Sequence, residues 1–405
     1  MLRRTVHLYR DAFTGITRDI WVLGLIMLVN RSGAMVIPFL SVYLTQIMAF
    51  SKPQTGFIMS CMGLGSVVGS YLGGFLTDKF SYYYVQFWSL LLNGFLFLLL
   101  GQMHTPLLLS INVFMLAMVG DAFRPANFAS VMVYSNPDTI TRSYSLVRLA
   151  VNLGFGIGPA MGGIIAYSFG YQWLFWVDGL TCIAAAFIFR TQLERKKEPQ
   201  KTVDASDAVA EKPRSAYHDP LFLVFFCFMT LTYISFTQFF TMTPVYLRET
   251  YRLPENQIGM IIAINGLLIA LIEMPLVYQL ENRFRKMNLV MLGAGLIGFA
   301  FLVHNLIPGI FAIAFVSVVA VTFGEMLNLP FANSIALGRS TPANRGQYMA
   351  LYSISFSIAQ ILSPTIGMQV VDRWGFPTLW YLLTFFCAVS IFGFGYLKKT
   401  TIWGT

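Results

Sequence analysis

Long apolar runs separated by short polar breaks dominate the chain. They fall near residues 21–44, 56–77, 84–103, 107–134, 143–167 and 173–189, and then near 220–246, 258–280, 287–306, 309–337, 347–371 and 377–397. A helix crossing a hydrocarbon core of about 30 Å needs roughly 20 apolar residues, and these runs are of that length. The pattern predicts twelve membrane-spanning helices. One long polar stretch interrupts them, Leu193 to Tyr217, with Arg195, Lys196, Lys197, Pro199, Lys201, Asp204, Asp207, Glu211, Lys212, Pro213 and Arg214. It has too little apolar surface to fold alone. It therefore reads as a cytoplasmic linker, 193–217, between an N-terminal six-helix bundle, 1–192, and a C-terminal one, 218–405.

The two bundles carry a common register. A shift of 203 residues places Val42-Tyr43-Leu44 on Val245-Tyr246-Leu247, Gln54 on Gln257, Gly56 on Gly259, Gly63 on Gly266 and Asp78 on Glu281. At offsets of 203 to 205, Gly120-Asp121 falls on Gly324-Glu325, Arg142 on Arg345, Pro159 on Pro364, Gly162 on Gly367 and Gly170 on Gly375. Parallel repeats of this kind are a device of secondary transporters, in which substrate binds near the midplane between the halves.

Composition removes the soluble alternatives. Of 405 residues, 56% are hydrophobic and 11% charged, with mean hydropathy +0.65, against the roughly 25% charge of a soluble domain. The net charge of +9 calls for no nucleic acid, because topology distributes it. With the amino terminus inside, Lys52, Arg248, Arg252 and Arg373 face outside, Arg31, Arg124 and Arg148 lie within spans, and the remainder of the 27 basic residues face the cytoplasm. That asymmetry predicts a multi-pass protein of a bacterial-type inner membrane with both termini cytoplasmic. Arg3, Arg4, Arg10 and Asp11 precede a first run long enough to span, so no cleaved signal peptide is expected. Cys61, Cys182, Cys227 and Cys387 all fall in apolar segments and indicate neither disulfides nor a metal site. His104 and His304 fall in external loops and His7 and His218 in the cytoplasm, so no histidine relay is expected.

Charges within spans carry the chemistry, since each costs about 3 kcal/mol or more unless it meets a cavity or a partner. They are Arg31 in the first span, Asp121 and Arg124 in the fourth, and Glu325 in the tenth. Asp121 and Arg124, three apart, share a face and can pair. Glu325 stands at the symmetry-related place, with no basic residue within a helical turn along the sequence. It is the first choice for a proton carrier and Asp121 the second, with Arg31 and Arg124 as counter-charges or substrate ligands. Glu273 is a possible member of the coupling set. Arg148 is placed to snorkel, and Asp178 lies near the external start of the sixth span, at the interface. Gln238 and Thr241, with Tyr233 nearby, and Asn30 and Asn328 can bind substrate or join helices. No H-E-x-x-H or P-loop is present, so neither an enzyme nor an ATP-driven pump is expected, and no cofactor is called for.

The fifth span reads N-L-G-F-G-I-G-P-A-M-G-G over Asn152 to Gly163. Small residues three to four apart let helix backbones approach closely in a bilayer, making this a packing and rocking surface. Gly154, Gly158, Pro159, Gly162 and Gly163 resemble the fifth-helix signature of the drug/proton antiporter branch of the major facilitator superfamily. Gly74-Phe-Leu-Thr-Asp78-Lys79 resembles the superfamily's cytoplasmic loop motif, in which the glycine starts a tight turn and the acid caps a helix or pairs across domains. Ser81 stands where that motif has glycine and Tyr82-Tyr83 where it has a basic pair. The resemblance implies an all-α membrane protein with two pseudo-symmetric six-helix bundles, lining its central path with helices one, four, seven and ten. It further implies proton-coupled export of small amphipathic compounds or drugs by alternating access. A monomer is expected, with substrate, protons and the lipid bilayer as its partners.

The resemblance has departures. The antiporter branch carries an arginine in its fourth helix where this chain has Val113. Asn30-Arg31-Ser32-Gly33, with Tyr43 beyond, resembles the first helix of proton-coupled peptide transporters, but the carboxylates of that helix fall on Met27 and Asn30. Import of peptides or other zwitterionic or anionic molecules is therefore the alternative, and a non-transporting receptor on the same fold is the second.

Overall fold

A computed structural model describes residues 15–196, 215–281, 283–306, 312–341 and 344–399. The described residues are helical, and eleven helical stretches among them are long and apolar enough to cross a membrane. The first span divides into α1 (Arg18–Ser32) and α2 (Val36–Val42), which continues as a π-helical turn (Tyr43–Ile47). Then follow α3 (Lys52–Phe80), α4 (Tyr82–Leu100), α5 (Pro106–Tyr134), α6 (Ile140–Phe169) and α7 (Gln172–Gln192). The second half comprises α8 (Pro220–Thr241), α9 (Thr243–Glu249), α10 (Glu255–Glu281), α11 (Lys286–Leu306), α12 (Ala312–Arg339) and α13 (Arg345–Lys399).

At 1.5 Å per residue, the 55 residues of α13 would reach about 80 Å, far beyond one crossing. Gly375, at φ 78° and ψ 172°, divides it, so the stretch crosses twice and the total is twelve. Gly170, its mate in the repeat, ends α6 at φ 91° and ψ 165°. Both sit in the left-handed region that glycine occupies without steric cost. The register read from sequence thus returns as the same backbone conformation at both places.

Two compact units divide the chain. The first comprises the described residues of 1–37 and 65–201; its core includes Tyr82, Phe123, Tyr134 and Phe189. The second comprises those of 38–64 and 202–405, with Phe222, Phe225, Tyr233, Phe331 and Phe394 in its core. Helix α3 thus gives its first half to the second unit. Within that unit Ser60 Oγ donates to the Ile361 carbonyl at 2.6 Å, and Lys52 Nζ lies 2.9 Å from Glu249. Most of the linker expected over 193–217, residues 197–214, lies outside the described residues, as does His7.

Helix α8 begins at a four-way junction. Asp219 caps it by accepting from the Phe222 amide at 3.2 Å. The same carboxylate receives Arg339 through Nε at 2.5 Å and a terminal guanidinium nitrogen at 2.7 Å, and the Tyr348 hydroxyl at 2.7 Å. One side chain joins the starts of α8 and α13 to the end of α12.

Candidate functional site

In the first unit, Asp121 and Arg124 lie one turn apart on α5, just before Pro125. Proline has no N–H, so the Asp121 carbonyl loses its helical partner and the helix loosens beside the acid. Arg124 Nε stands 2.7 Å from Asp121 Oδ1, and Ser66 of α3 donates its hydroxyl to Oδ2. Asp121 is buried while the Arg124 side chain is half exposed. Helix α3 reaches α5 this closely because Gly69 packs directly on the Met118 carbonyl, where a Cβ would collide.

Arg31 is at the end of α1, immediately before the break. Its guanidinium lies over the Phe155 ring, 5.3 Å from the centroid, and its buried Nε has no hydrogen-bond partner. The glycine stripe sets this geometry. A Cβ at Gly154 would stand 2.5 Å from Arg31 Cβ, one at Gly158 3.1 Å from the Arg31 carbonyl oxygen, and one at Gly162 2.8 Å from Met35 Cβ. Pro159 and Gly163 are buried beside them. The stripe is a packing surface within the first unit, where α6 meets α1.

The break itself corrects one expectation. The span expected over 21–44 is present, though its helix is divided, while Asp178, expected at an interface, is fully buried on α7. It accepts from the Met35 amide at 2.9 and 3.0 Å and the Val36 amide at 2.8 Å. Those amides would otherwise continue the helix, so the carboxylate replaces the helical acceptors and the span divides. Asn30 donates to Cys182 Sγ, on the same helix, at 3.3 Å.

In the second unit, Glu325 stands on α12, five residues before Pro330. Asn265 of α10 donates Nδ2 to Glu325 Oε2 at 3.0 Å and to Thr322 Oγ1 at 3.0 Å. Each unit thus supplies an uncharged donor from its second spanning helix to the acid on its fourth. On the repeat register Asn265 falls on Met62, one turn from Ser66, so the device recurs without sequence identity. Sequence reasoning missed both donors, because a Ser and an Asn in apolar helices look like any other polar residue there.

Other polar candidates are engaged within the second unit. Gln238 is fully buried; it donates to the Ser363 carbonyl at 2.8 Å and accepts from Thr241 at 3.2 Å. Asn328 donates to the Val290 carbonyl at 3.0 Å, and the Tyr233 and Tyr352 hydroxyls share a 2.6 Å hydrogen bond. Glu273 is buried on α10. His304, expected in an external loop, is buried in α11, 3.1 Å from Ser317 Oγ and packed against Tyr246 and Trp380. His304 lies in the last turn of α11, inside the apolar run over 287–306 rather than beyond it, and Ser317 and the aromatic rings receive the imidazole.

The loop motif also differs from expectation. Gly74 lies inside α3 with open space around it, not at a turn. Asp78 and Lys79 are exposed in the last turn of α3, and α4 begins without a side-chain cap. Lys79 lies over the Phe80 ring at 5.3 Å. The reversal is made at Ser81, with φ 90°.

A family profile described as Major Facilitator Superfamily matches residues 20–340 and 255–403. The chain is 25% identical, over 91% of its length and 92% of the relative's, to a Na(+), Li(+), K(+)/H(+) antiporter of Planococcus maritimus. It is 22% identical to the multidrug resistance protein MdtH of Blochmanniella floridana, over 64% of this chain and 63% of that one. In fold it is similar to the solved nucleoside transporter NupG, with TM-score 0.80 at 15% identity, covering 94% of this chain and 100% of that one.

Proposed function

The chain belongs to the Major Facilitator Superfamily and is a multi-pass secondary transporter, not an enzyme, and we propose that it exports small amphipathic compounds in exchange for protons. Glu325 carries the proton, Asp121 is the second acid, and Arg31 and Arg124 are the counter-charges that favour release. The observation that carries this reading is the pair of acids, each held by a neutral donor and set beside a helix-loosening proline. A carboxylate within a span is costly to keep charged, and a neutral hydroxyl or amide accommodates either protonation state. The distribution of Lys and Arg supports a cytoplasmic location for both termini.

The test uses purified protein in proteoliposomes with a trapped pH-sensitive dye, and additions of lipophilic cations, of sodium or potassium, and of dipeptides. Lipophilic cations should drive protons opposite to their own movement. Glu325→Gln should reduce that flux to the level of empty vesicles while retaining binding. Undiminished coupled transport by the variant removes Glu325 from the mechanism. A second reading, exchange of monovalent metal ions for protons, is favoured by the Planococcus relative; a response to sodium or potassium alone selects it. Dipeptides moving with protons overturn export in favour of peptide import.

A further inference from the structure

In the first unit, α3, α4 and α5 enclose an open apolar groove of about 400 Å³, with Leu72, Leu76, Phe80, Tyr84, Trp88 and Leu92 among its lining. From Tyr84 to Leu92 it follows α4 for about 12 Å. Phe80, Tyr84, Trp88 and Leu92 are exposed. In a spanning helix, such a face meets acyl chains.

The groove ends where α3 stops and α4 starts, and two cations stand there. Lys79 Nζ is 5.3 Å from the centroid of the Phe80 ring, and Arg195 Cζ is 5.2 Å from that of Tyr84. Both rings line the groove. Neither cation has a carboxylate within ion-pair distance among the described residues, whereas neighbouring Lys196 is paired with Asp19 at 2.6 Å. Asp78 and Glu194 are the acids adjacent in sequence, both exposed.

Arg195 is brought there by tyrosines. Tyr83 and Tyr134 donate their hydroxyls to the Leu193 and Glu194 carbonyls at 3.1 and 2.9 Å. The Lys196 amide donates to the Tyr82 hydroxyl at 3.1 Å. The clamp fixes the backbone on both sides of Arg195. Tyr82 and Tyr83 occupy the positions at which the resembled loop motif has basic residues, so here the positive charge comes from the segment after α7.

We propose that this groove is a binding site for an anionic phospholipid, with one acyl chain along α4 and the headgroup phosphate between Lys79 and Arg195. Basic residues near a membrane surface each favour an anionic lipid by a severalfold factor, and the apolar groove adds the area of the buried chain.

The experiment is native mass spectrometry of the detergent-purified full chain, titrated with phosphatidylglycerol and with phosphatidylcholine of the same acyl chains. The first phosphatidylglycerol should bind at a concentration about tenfold or more below that for phosphatidylcholine. Lys79→Gln with Arg195→Gln should erase the difference. Arg18→Gln, which removes an exposed cation hydrogen-bonded to Gln192 instead, should leave it intact. Glycerol phosphate at the same concentrations should not displace the lipid. Equal binding of the two lipids by the wild type, or unchanged preference in the double variant, overturns the assignment. Displacement by glycerol phosphate overturns the acyl-chain part and leaves a phosphate site.

Discussion

Ser81 holds φ 90° and ψ 142° between α3 and α4, a region that residues with a Cβ occupy at a cost of order 1 kcal/mol or more. Ser81→Gly should therefore stabilise the protein by about 1 kcal/mol, read as a higher melting temperature in detergent; an unchanged or lower value means that the serine side chain compensates. Asp219 offers a different residue-scale test. Burial alone raises its carboxyl, but the hydrogen bonds from Arg339, Tyr348 and the Phe222 amide outweigh that and hold it below its ordinary value of 3.8. A depressed carboxylate contributes stability above its ordinary titration range and loses it as pH falls through the lowered value. The melting difference between wild type and Asp219→Asn should be constant from pH 7 to about 5 and close below about pH 4. A difference that grows on acidification contradicts the assignment.

The divided first span is the element on which the first unit turns. Asp178 satisfies the Met35 and Val36 amides on one side, and the glycines of α6 admit Arg31 and Met35 on the other. Asp178→Ala leaves the buried Val36 amide without an acceptor, at about 1 to 3 kcal/mol, and the Met35 amide with the Gly33 carbonyl alone. Its expected result is a melting temperature well below that of wild type, with Asp178→Asn, which retains one acceptor oxygen, in between. Equal stability of all three would mean that the break is set by Gly33 and Pro38 rather than by the carboxylate. Hydropathy cannot announce such a break. It measures the length of an apolar run, and residues 21–44 have the length of one span whether or not the helix is continuous.

At the scale of the molecule, features that depend on chain length or on neighbours in sequence were legible: the twelve crossings, the Asp121–Arg124 pair, and the repeat that aligned Gly170 with Gly375. What depends on a partner far along the chain was not. Asp178 looked interfacial because its partners are backbone amides 143 and 142 residues away. His304 looked like a loop residue because Ser317 and Trp380 come from other helices, and Asn265 stood unremarked until it met Glu325.

That last contact has an electrical consequence. Asn265 offers Glu325 a neutral amide, and on the proposed mechanism a proton arriving on the carboxylate changes the local charge by one. Exchange of one proton for a monovalent cation would then be indifferent to membrane voltage, whereas exchange for an uncharged compound would move one charge per cycle. In an applied field of 100 mV that charge is worth about 2.3 kcal/mol, roughly a fiftyfold bias. A potassium diffusion potential imposed across proteoliposomes, with valinomycin and no pH gradient, should therefore leave sodium exchange unmoved and drive uphill accumulation of a neutral substrate.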